Sequence, residues 1–239
     1  MKKSIFVKTA LASCLMFFML APPSMGYTIS TGPGYGMYSY NEAGEFTVIP
    51  GDGLGIVLGG YVNNGIIKTR DIHQAGTFQT FCLEYREYID VNTTYTAYLN
   101  NKAINGGVGP AGDPISKGTA YLYHQFQSGT LEGYNYTDDR LESAGALQLT
   151  IWWLEGEIAN KPNNNFTTLV EGLPNYINDN NGQYPVNVLN LYYGDDRAQD
   201  LLVCDPAPVP EPATMLLLGS GLLGLAAYGR KKIHKKIVH

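Results

Sequence analysis

Two residues whose side chains can react with each other, Cys82 and Gln148, lie 66 positions apart in this 239-residue chain. Gln148 falls in the segment ALQLTIWWLEGE, whose helical spacing places it on a single apolar face with Leu141, Ala144, Ile151 and Trp152. An amide on a buried apolar face must find hydrogen-bond partners, or it costs about 1–3 kcal/mol. Gln148 is therefore either a structural amide or a reactive one.

The reactive alternative is an internal thioester. A thiolate held against the Gln148 carboxamide can attack its carbonyl carbon, expel ammonia and leave a bond between the Cys82 sulfur and the Gln148 acyl carbon. An apolar aromatic wall would then keep water from hydrolysing the product. Trp152, one helical turn after Gln148, is predicted to be this wall. The predicted site is Cys82, Gln148 and Trp152.

Cys82 has a second possible partner. Cys14 lies in a predicted signal peptide, described below, so the exported domain would keep two cysteines. Exported domains commonly join such a pair, and a disulfide between Cys82 and Cys204 is the alternative interpretation. Cys204 lies six residues before Pro210, close to a predicted processing segment where chain ends tend to be poorly ordered. Both alternatives stay open at the level of the sequence.

The motifs around these two residues resemble a known family. Phe81-Cys82 on a predicted strand, followed by Gln148-Leu149-Thr150-Ile151-Trp152 on a predicted helix, resembles the thioester domains of bacterial surface adhesins over roughly residues 75–160. Those adhesins usually carry Thr before the Gln and a small residue two positions after it, where this chain has Leu147 and Thr150. The resemblance implies a self-formed thioester that a surface amine opens, leaving an isopeptide bond to Gln148.

Both ends of the chain carry targeting patterns. A lysine-rich start and an apolar run ending in small residues and prolines predict a signal peptide over residues 1–26. Near the other end, Pro210-Glu211-Pro212 precedes seventeen uncharged residues, 213–229, and a basic cluster. That length is the lower limit for a membrane-spanning helix, with the basic cluster predicted to stay cytoplasmic. We expect a mature domain over residues 27–208 and a sorting signal over 209–239.

The last thirty residues closely resemble the PEP-CTERM sorting signal of Gram-negative bacteria. Their order, Pro-Glu-Pro, apolar helix and basic tail, is specific to that signal. The resemblance implies processing by an exosortase, contact with the membrane only through the C-terminal helix before processing, and delivery to the cell surface or extracellular matrix. It implies a destination for the protein but no activity.

Charge excludes some partners of the mature domain. Of 16 Lys and Arg, three lie before residue 27 and five after residue 229, which leaves eight against 20 of the 21 acidic residues, a net charge of −12. Nucleic acids and anionic lipid surfaces require a basic patch, so neither is an expected partner. An amine-bearing protein would instead be attracted.

The elements that must position Cys82 and Gln148 read as strands, helices and strands, which predicts an α+β domain: antiparallel strands with a helical insertion that carries Gln148. Strands are predicted at residues 44–49, 55–62, 77–89, 93–99, 186–193 and 200–204. One helix is predicted to begin at Asp113-Pro114 and end at Gly129, and a second to begin at Asp138 or Asp139 and reach Glu157.

Other chemistry is weakly indicated. His73 and His124 have no second His or Cys at ligand spacing, so no metal or other cofactor is predicted. His124 could assist proton transfer from an amine, although an ordinary structural His is the favoured interpretation. Two function classes remain: a covalent adhesin-like domain that acts once per molecule, and a noncovalent matrix or carbohydrate-binding protein using exposed Tyr faces. An enzyme with turnover is not expected.

Overall fold

The computed structural model describes residues 26–32, 36, 38–40, 43–51, 53–54, 76–104 and 112–204. Within these ranges the helices are α1 (Lys117–Gln127), α2 (Arg140–Leu154) and α3 (Asn165–Glu171). The strands are β1 (Tyr27–Thr31), β2 (Tyr38–Tyr40), β3 (Ala43–Pro50), β4 (Phe78–Thr80), β5 (Thr94–Asn100), β6 (Lys102–Ala103), β7 (Asp113–Pro114), β8 (Val186–Tyr193), β9 (Asp196–Arg197) and β10 (Leu201–Cys204).

The main sheet is antiparallel and closes on itself. Its strands run in the order β10, β8, β5, β1 and β3, while β2 and β4 pair with successive parts of the free edge of β3. Just beyond β4, Cys82 forms an antiparallel bridge with Leu201 of β10. The path therefore returns to its first strand, and the sheet forms a barrel.

Side-chain alternation along the strands separates two apolar clusters. Residues on the inner face of the barrel form the first cluster, which includes Phe46, Val48, Cys82 and Leu201. Residues on the outer face, such as Phe81 and others on β8 and β10, form a second cluster with the three helices. Because β8 is covered on both faces, the run VNVLNLYY is apolar on both, as expected for a central strand.

Helix α2 is fixed to the barrel by a buried ion pair. The Arg140 guanidinium donates to both carboxylate oxygens of Glu45 on β3, and both side chains are fully buried. The Tyr134 hydroxyl donates to the same carboxylate at 2.5 Å. A buried ion pair with this many hydrogen bonds fixes the geometry of its two elements. The pair therefore positions the helix that carries Gln148.

The α+β class is confirmed in its coarse form, since the described residues contain antiparallel strands and a few helices between β7 and β8. The strand predicted over 77–89 is wrong in extent, because β4 ends at Thr80, where the chain leaves its ladder with β3. Further along, backbone groups bond to side chains, and Tyr85 N donates to Glu157 at 3.0 Å. Residues 94–100 pair with β1 and β8 and not with β4.

The predicted start of the first helix is also wrong. Asp113 and Pro114 form β7, and the helix begins after Ser116, whose hydroxyl accepts from Thr119 N at 3.1 Å. Its predicted end at Gly129 is close to the observed end at Gln127. Gly129 adopts φ +67°, a left-handed conformation that favours glycine and stops the helix. Leu141, placed on the buried face by helical spacing, is 38% exposed.

Several predictions fall outside the described residues. These are the strand at 55–62, residues 1–25 of the signal peptide predicted over 1–26, and the sorting segment over 209–239 with its predicted membrane helix. In the described part of the chain, no helix has the length and apolar character needed to cross a membrane.

Candidate functional site

The backbone of Cys82 has two hydrogen-bonding groups that no strand satisfies. The ladder bonds on either side of it run from Leu202 N to Phe81 O (3.2 Å) and from Leu83 N to Asp200 O (3.0 Å). In an antiparallel ladder with this pattern, the N–H and C=O of the residue between them point away from the partner strand. Cys82 therefore presents both groups to the opposite side, where β4 has already left β3.

The side chain of Gln148 fills this gap. Cys82 N donates to Gln148 Oε1 at 3.0 Å, and Gln148 Nε2 donates to Cys82 O at 2.7 Å. Gln148 is completely buried. A single side-chain amide thus takes the place of a neighbouring strand, and its polar atoms are paired in an otherwise apolar layer.

Trp152 lies one turn further along α2, and the rim beside it is aromatic. Its side chain belongs to the barrel's inner cluster together with Cys82, and it is 4% exposed. The ring of Tyr85 packs edge to face against it, with ring centroids 4.9 Å apart. Tyr85 itself is half exposed. Trp152 Nε1 is buried and has no hydrogen-bond partner among the described residues.

The two cysteines of the described chain lie on opposite faces of the barrel wall. Cys204 belongs to the outer cluster with the helices, whereas Cys82 belongs to the inner cluster, and no disulfide joins these two described residues. Burial, with a smaller contribution from the nearby Glu84 carboxyl, raises the pKa of the Cys82 thiol well above its usual value. The resting form of Cys82 is therefore the thiol.

A pair of buried carboxyl groups lies next to Cys82. Glu84 and Asp200 are 4% and 2% exposed, and Glu84 Oε2 accepts from Gln199 Nε2 at 2.9 Å and from Asp200 N at 3.0 Å. Asp200 Oδ2 accepts from Ile104 N at 2.7 Å. Burial raises the pKa of both carboxyls. Sequence reasoning missed this pair.

The structure thus brings Cys82, Gln148 and Trp152 together, and His124 contacts other residues. His124 lies on α1 beside the Tyr184 ring, with 6.0 Å between ring centroids, and burial lowers its pKa. His73 is outside the described residues. Among the residues the structure describes, no group of three or more His, Cys, Asp or Glu side chains is arranged to hold a metal ion.

Comparison with known families identifies the C-terminal segment. A family model described as the PEP-CTERM protein-sorting motif matches residues 208–232. The match contains Pro210, Glu211 and Pro212, which confirms the sorting signal predicted from the sequence. Searches of curated proteins and of solved structures found no match. The resemblance to adhesin thioester domains gains no support from these comparisons.

The sorting motif determines where the protein acts. A chain with this motif is an exported protein that an exosortase sorts to the cell surface. The chemistry of Cys82 and Gln148 therefore has to be considered outside the cytoplasm, where amine-bearing surface molecules are accessible.

Proposed function

We propose that this exported protein forms an internal thioester between Cys82 and Gln148 and uses it to attach covalently to an amine-bearing surface target, in the manner of an adhesin. The observation that carries the proposal is the two-point contact between the Gln148 amide and the backbone of Cys82. The nucleophile and the electrophile are thereby held on two residues that touch.

The contact is suited to acyl transfer as well as to packing. When the Cys82 sulfur attacks the Gln148 carbonyl carbon, negative charge develops on Oε1, and Cys82 N already donates to that atom at 3.0 Å. A preorganised backbone N–H at a developing oxyanion is a common source of transition-state stabilisation. The leaving nitrogen, Nε2, is held by the carbonyl of the same residue.

The surroundings favour survival of the product. Gln148 is fully buried and Cys82 is 6% exposed, so little water reaches the predicted bond. Trp152 belongs to the same apolar cluster as Cys82, and Tyr85 packs against it, which adds aromatic surface beside the site. Exclusion of water is what a thioester needs to outlive hydrolysis until an amine arrives.

Amine labelling tests this proposal. The domain spanning residues 27–208 is incubated with a fluorescent primary amine, and peptide mapping then locates the label. We expect label at Gln148 and one new reactive thiol at Cys82, because sulfur is the leaving group when the amine attacks.

Cys82→Ser and Cys204→Ser are the matched controls. Each replaces one buried sulfur by oxygen, and Cys82 is the residue whose backbone N–H donates to Gln148. Labelling should disappear in Cys82→Ser and persist in Cys204→Ser. Equal labelling of both variants would contradict the proposal.

A noncovalent matrix function is the second candidate, and one cleft favours it. Tyr98 on β5 and Tyr192 on β8, which are neighbouring strands, pack edge to face with ring centroids 5.6 Å apart. Together with Thr96, Gly194 and Asp195 they line an open cleft of about 430 Å³. Partly exposed Tyr rings beside a carboxylate suit the apolar faces and hydroxyls of a sugar. Tyr98→Ala/Tyr192→Ala should abolish retention on exopolysaccharide if this candidate is right.

A further inference from the structure

Exposed aromatic side chains are concentrated at one end of the barrel. Among the described residues, seven large apolar or aromatic side chains are exposed, and four of these are Tyr85, Tyr88, Val91 and Tyr193. Tyr88 and Tyr193 are 73% and 63% exposed. Single exposed apolar residues are ordinary on a protein surface, whereas a group of them marks an interaction site. We refer to these four side chains as the aromatic rim.

Three contacts place the aromatic rim where the chain after β4 meets the hairpin of β8 and β9. Gln199 N, just before β10, donates to Tyr88 O at 3.3 Å. Asp90 N donates to the Tyr95 hydroxyl at 2.8 Å, and the Tyr95 ring packs edge to face on Tyr193 with ring centroids 6.2 Å apart. The segment that carries Tyr88 and the hairpin that carries Tyr193 therefore lie side by side.

The aromatic rim reaches the site of the proposed thioester through Tyr85. The Tyr85 ring packs on Trp152, with ring centroids 4.9 Å apart, and Trp152 shares the inner cluster with Cys82. Gln148 is completely buried, and Cys82 is only 6% exposed. An amine must therefore pass from the aromatic rim into the domain before it can meet the acyl carbon of Gln148.

Burial of this carbon favours one class of amine. Lysine carries its nitrogen at the end of a flexible four-carbon stem, which can enter a narrow path while the peptide backbone stays outside. The amino group of an amino sugar is attached directly to the ring, so the whole ring would have to enter. Exposed Tyr rings also attract an ammonium group by cation–π contact. The surroundings of the site therefore fit a lysine side chain.

Charge at this end of the barrel also suits a basic partner. Residues 85–91 and 193–197 carry four acidic and two basic side chains, and a further acid, Glu157, accepts from Tyr85 N at 3.0 Å. The mature domain as a whole has a net charge of −12. Opposite charge on a partner speeds association and fixes its orientation. A lysine-rich polypeptide is thus favoured over a neutral or acidic polysaccharide.

We propose that the aromatic rim docks a lysine side chain of a basic polypeptide and directs its amine to the Gln148 acyl carbon, a role that rests on the proposed thioester function. The lysine ammonium first loses one proton to solvent. Its nitrogen then bonds to the acyl carbon, the bond from that carbon to the Cys82 sulfur breaks, and a second proton of the nitrogen ends on the sulfur. The products are an isopeptide bond and a free thiol, so the step needs no oxidant or reductant.

The test compares two amines that depend on the aromatic rim to different degrees. Release of the Cys82 thiol is followed by alkylation and peptide mapping in the domain of residues 27–208, which contains both apolar clusters and all ten strands. N-acetylated oligolysine should react faster than methylamine at equal amine concentration, because oligolysine is long enough to contact the aromatic rim and the bond together. High salt should reduce this preference, since it screens the charges around the aromatic rim.

The double variant Tyr88→Ala/Tyr193→Ala removes two mostly exposed rings, so the fold and the mass deficit from loss of ammonia should be retained. We expect oligolysine to react about tenfold more slowly with this variant, the effect of losing two exposed cation–π contacts, while the methylamine rate stays unchanged. Ile177→Ala is the matched control. It removes a side chain of similar exposure, 66%, from the segment after α3 and should leave both rates at the wild-type value.

The outcomes separate failure of the docking role from failure of the thioester. An oligolysine rate in the double variant equal to that of the wild type would overturn the docking role, and so would an equal loss of the methylamine rate. A wild-type protein that reacts faster with glucosamine than with oligolysine would overturn the choice of lysine. In each of these cases the thioester itself still forms. Absence of thiol release with every amine, methylamine included, would instead overturn the thioester and the docking role together.

Discussion

Replacing Cys82 by Ala should destabilise the domain far more than the same replacement at Cys204. Both residues are buried thiols, 6% and 2% exposed, so each substitution removes one buried sulfur. That loss alone is on the order of 1 kcal/mol. Only Cys82→Ala also removes the proposed covalent link to Gln148.

The magnitude of the difference follows from the length of chain that the link closes. Cys82 and Gln148 are 66 residues apart, and a cross-link over a loop of that size stabilises by about 4 kcal/mol through the unfolded state. The free energy of unfolding of a typical domain is about 5–15 kcal/mol. The two variants should therefore be clearly separated.

Guanidinium titration in mildly acidic buffer gives the free energies of unfolding of the wild type and both variants. Wild-type protein pretreated with methylamine supplies an additional arm, since it should lose the cross-link without any substitution. We expect pretreated wild type and Cys82→Ala to fall well below Cys204→Ala. If Cys82→Ala and Cys204→Ala unfold at the same denaturant concentration, and pretreatment changes nothing, the reasoning is refuted.

Further predictions concern the elements that support the site. Burial raises the pKa of Glu155 from 4.5 to about 7, so the folded state binds the proton more tightly than the unfolded state does. The free energy of unfolding should therefore fall by about 3 kcal/mol as pH rises through that interval. Thermal melting from pH 4 to 8 should show this decline, and Glu155→Gln should flatten it. Arg140→Leu should cost about 3–5 kcal/mol in denaturant titration, because Glu45 is left buried without its partner, and Arg140→Leu/Glu45→Leu should recover part of the loss. Trp152→Ala should hasten loss of amine reactivity on storage at pH 8, whereas Trp152→Phe should not, since it keeps an apolar ring over the site; equal decay of both variants would contradict a shielding role.

Local pattern was enough to predict most of the buried face of the helix that carries Gln148. The helical spacing around Gln148 correctly buried Ala144, Ile151 and Trp152. It failed at Leu141, because α2 begins at Arg140 and its first turn is held to the barrel through the Arg140–Glu45 pair, which leaves Leu141 toward solvent. Helical periodicity predicts which face of a helix is buried, but it does not predict which turns of that face the rest of the domain covers.

Partners that are distant in sequence could not be predicted. Asp200 reaches Glu84 only because β10 pairs with the segment after β4, a closure 116 residues away that has no local signal. Glu84 itself had a signal: it lies two residues after Cys82, within the motif FCLE. Glu155, just after α2, is buried and accepts from Ser116 N, just before α1; these two residues are 39 positions apart, and no local pattern predicts their contact.

The intact mass of the purified domain under non-reducing conditions tests the central claim most directly. Thioester formation expels one ammonia, so we expect the wild-type domain to weigh less than its sequence by that mass, and Cys82→Ala and Gln148→Ala to show no deficit. The deficit differs from the two hydrogens lost in a disulfide, and methylamine should convert it to a gain. A wild-type domain at full sequence mass, with both Cys82 and Cys204 alkylated before any amine is added, would contradict the account.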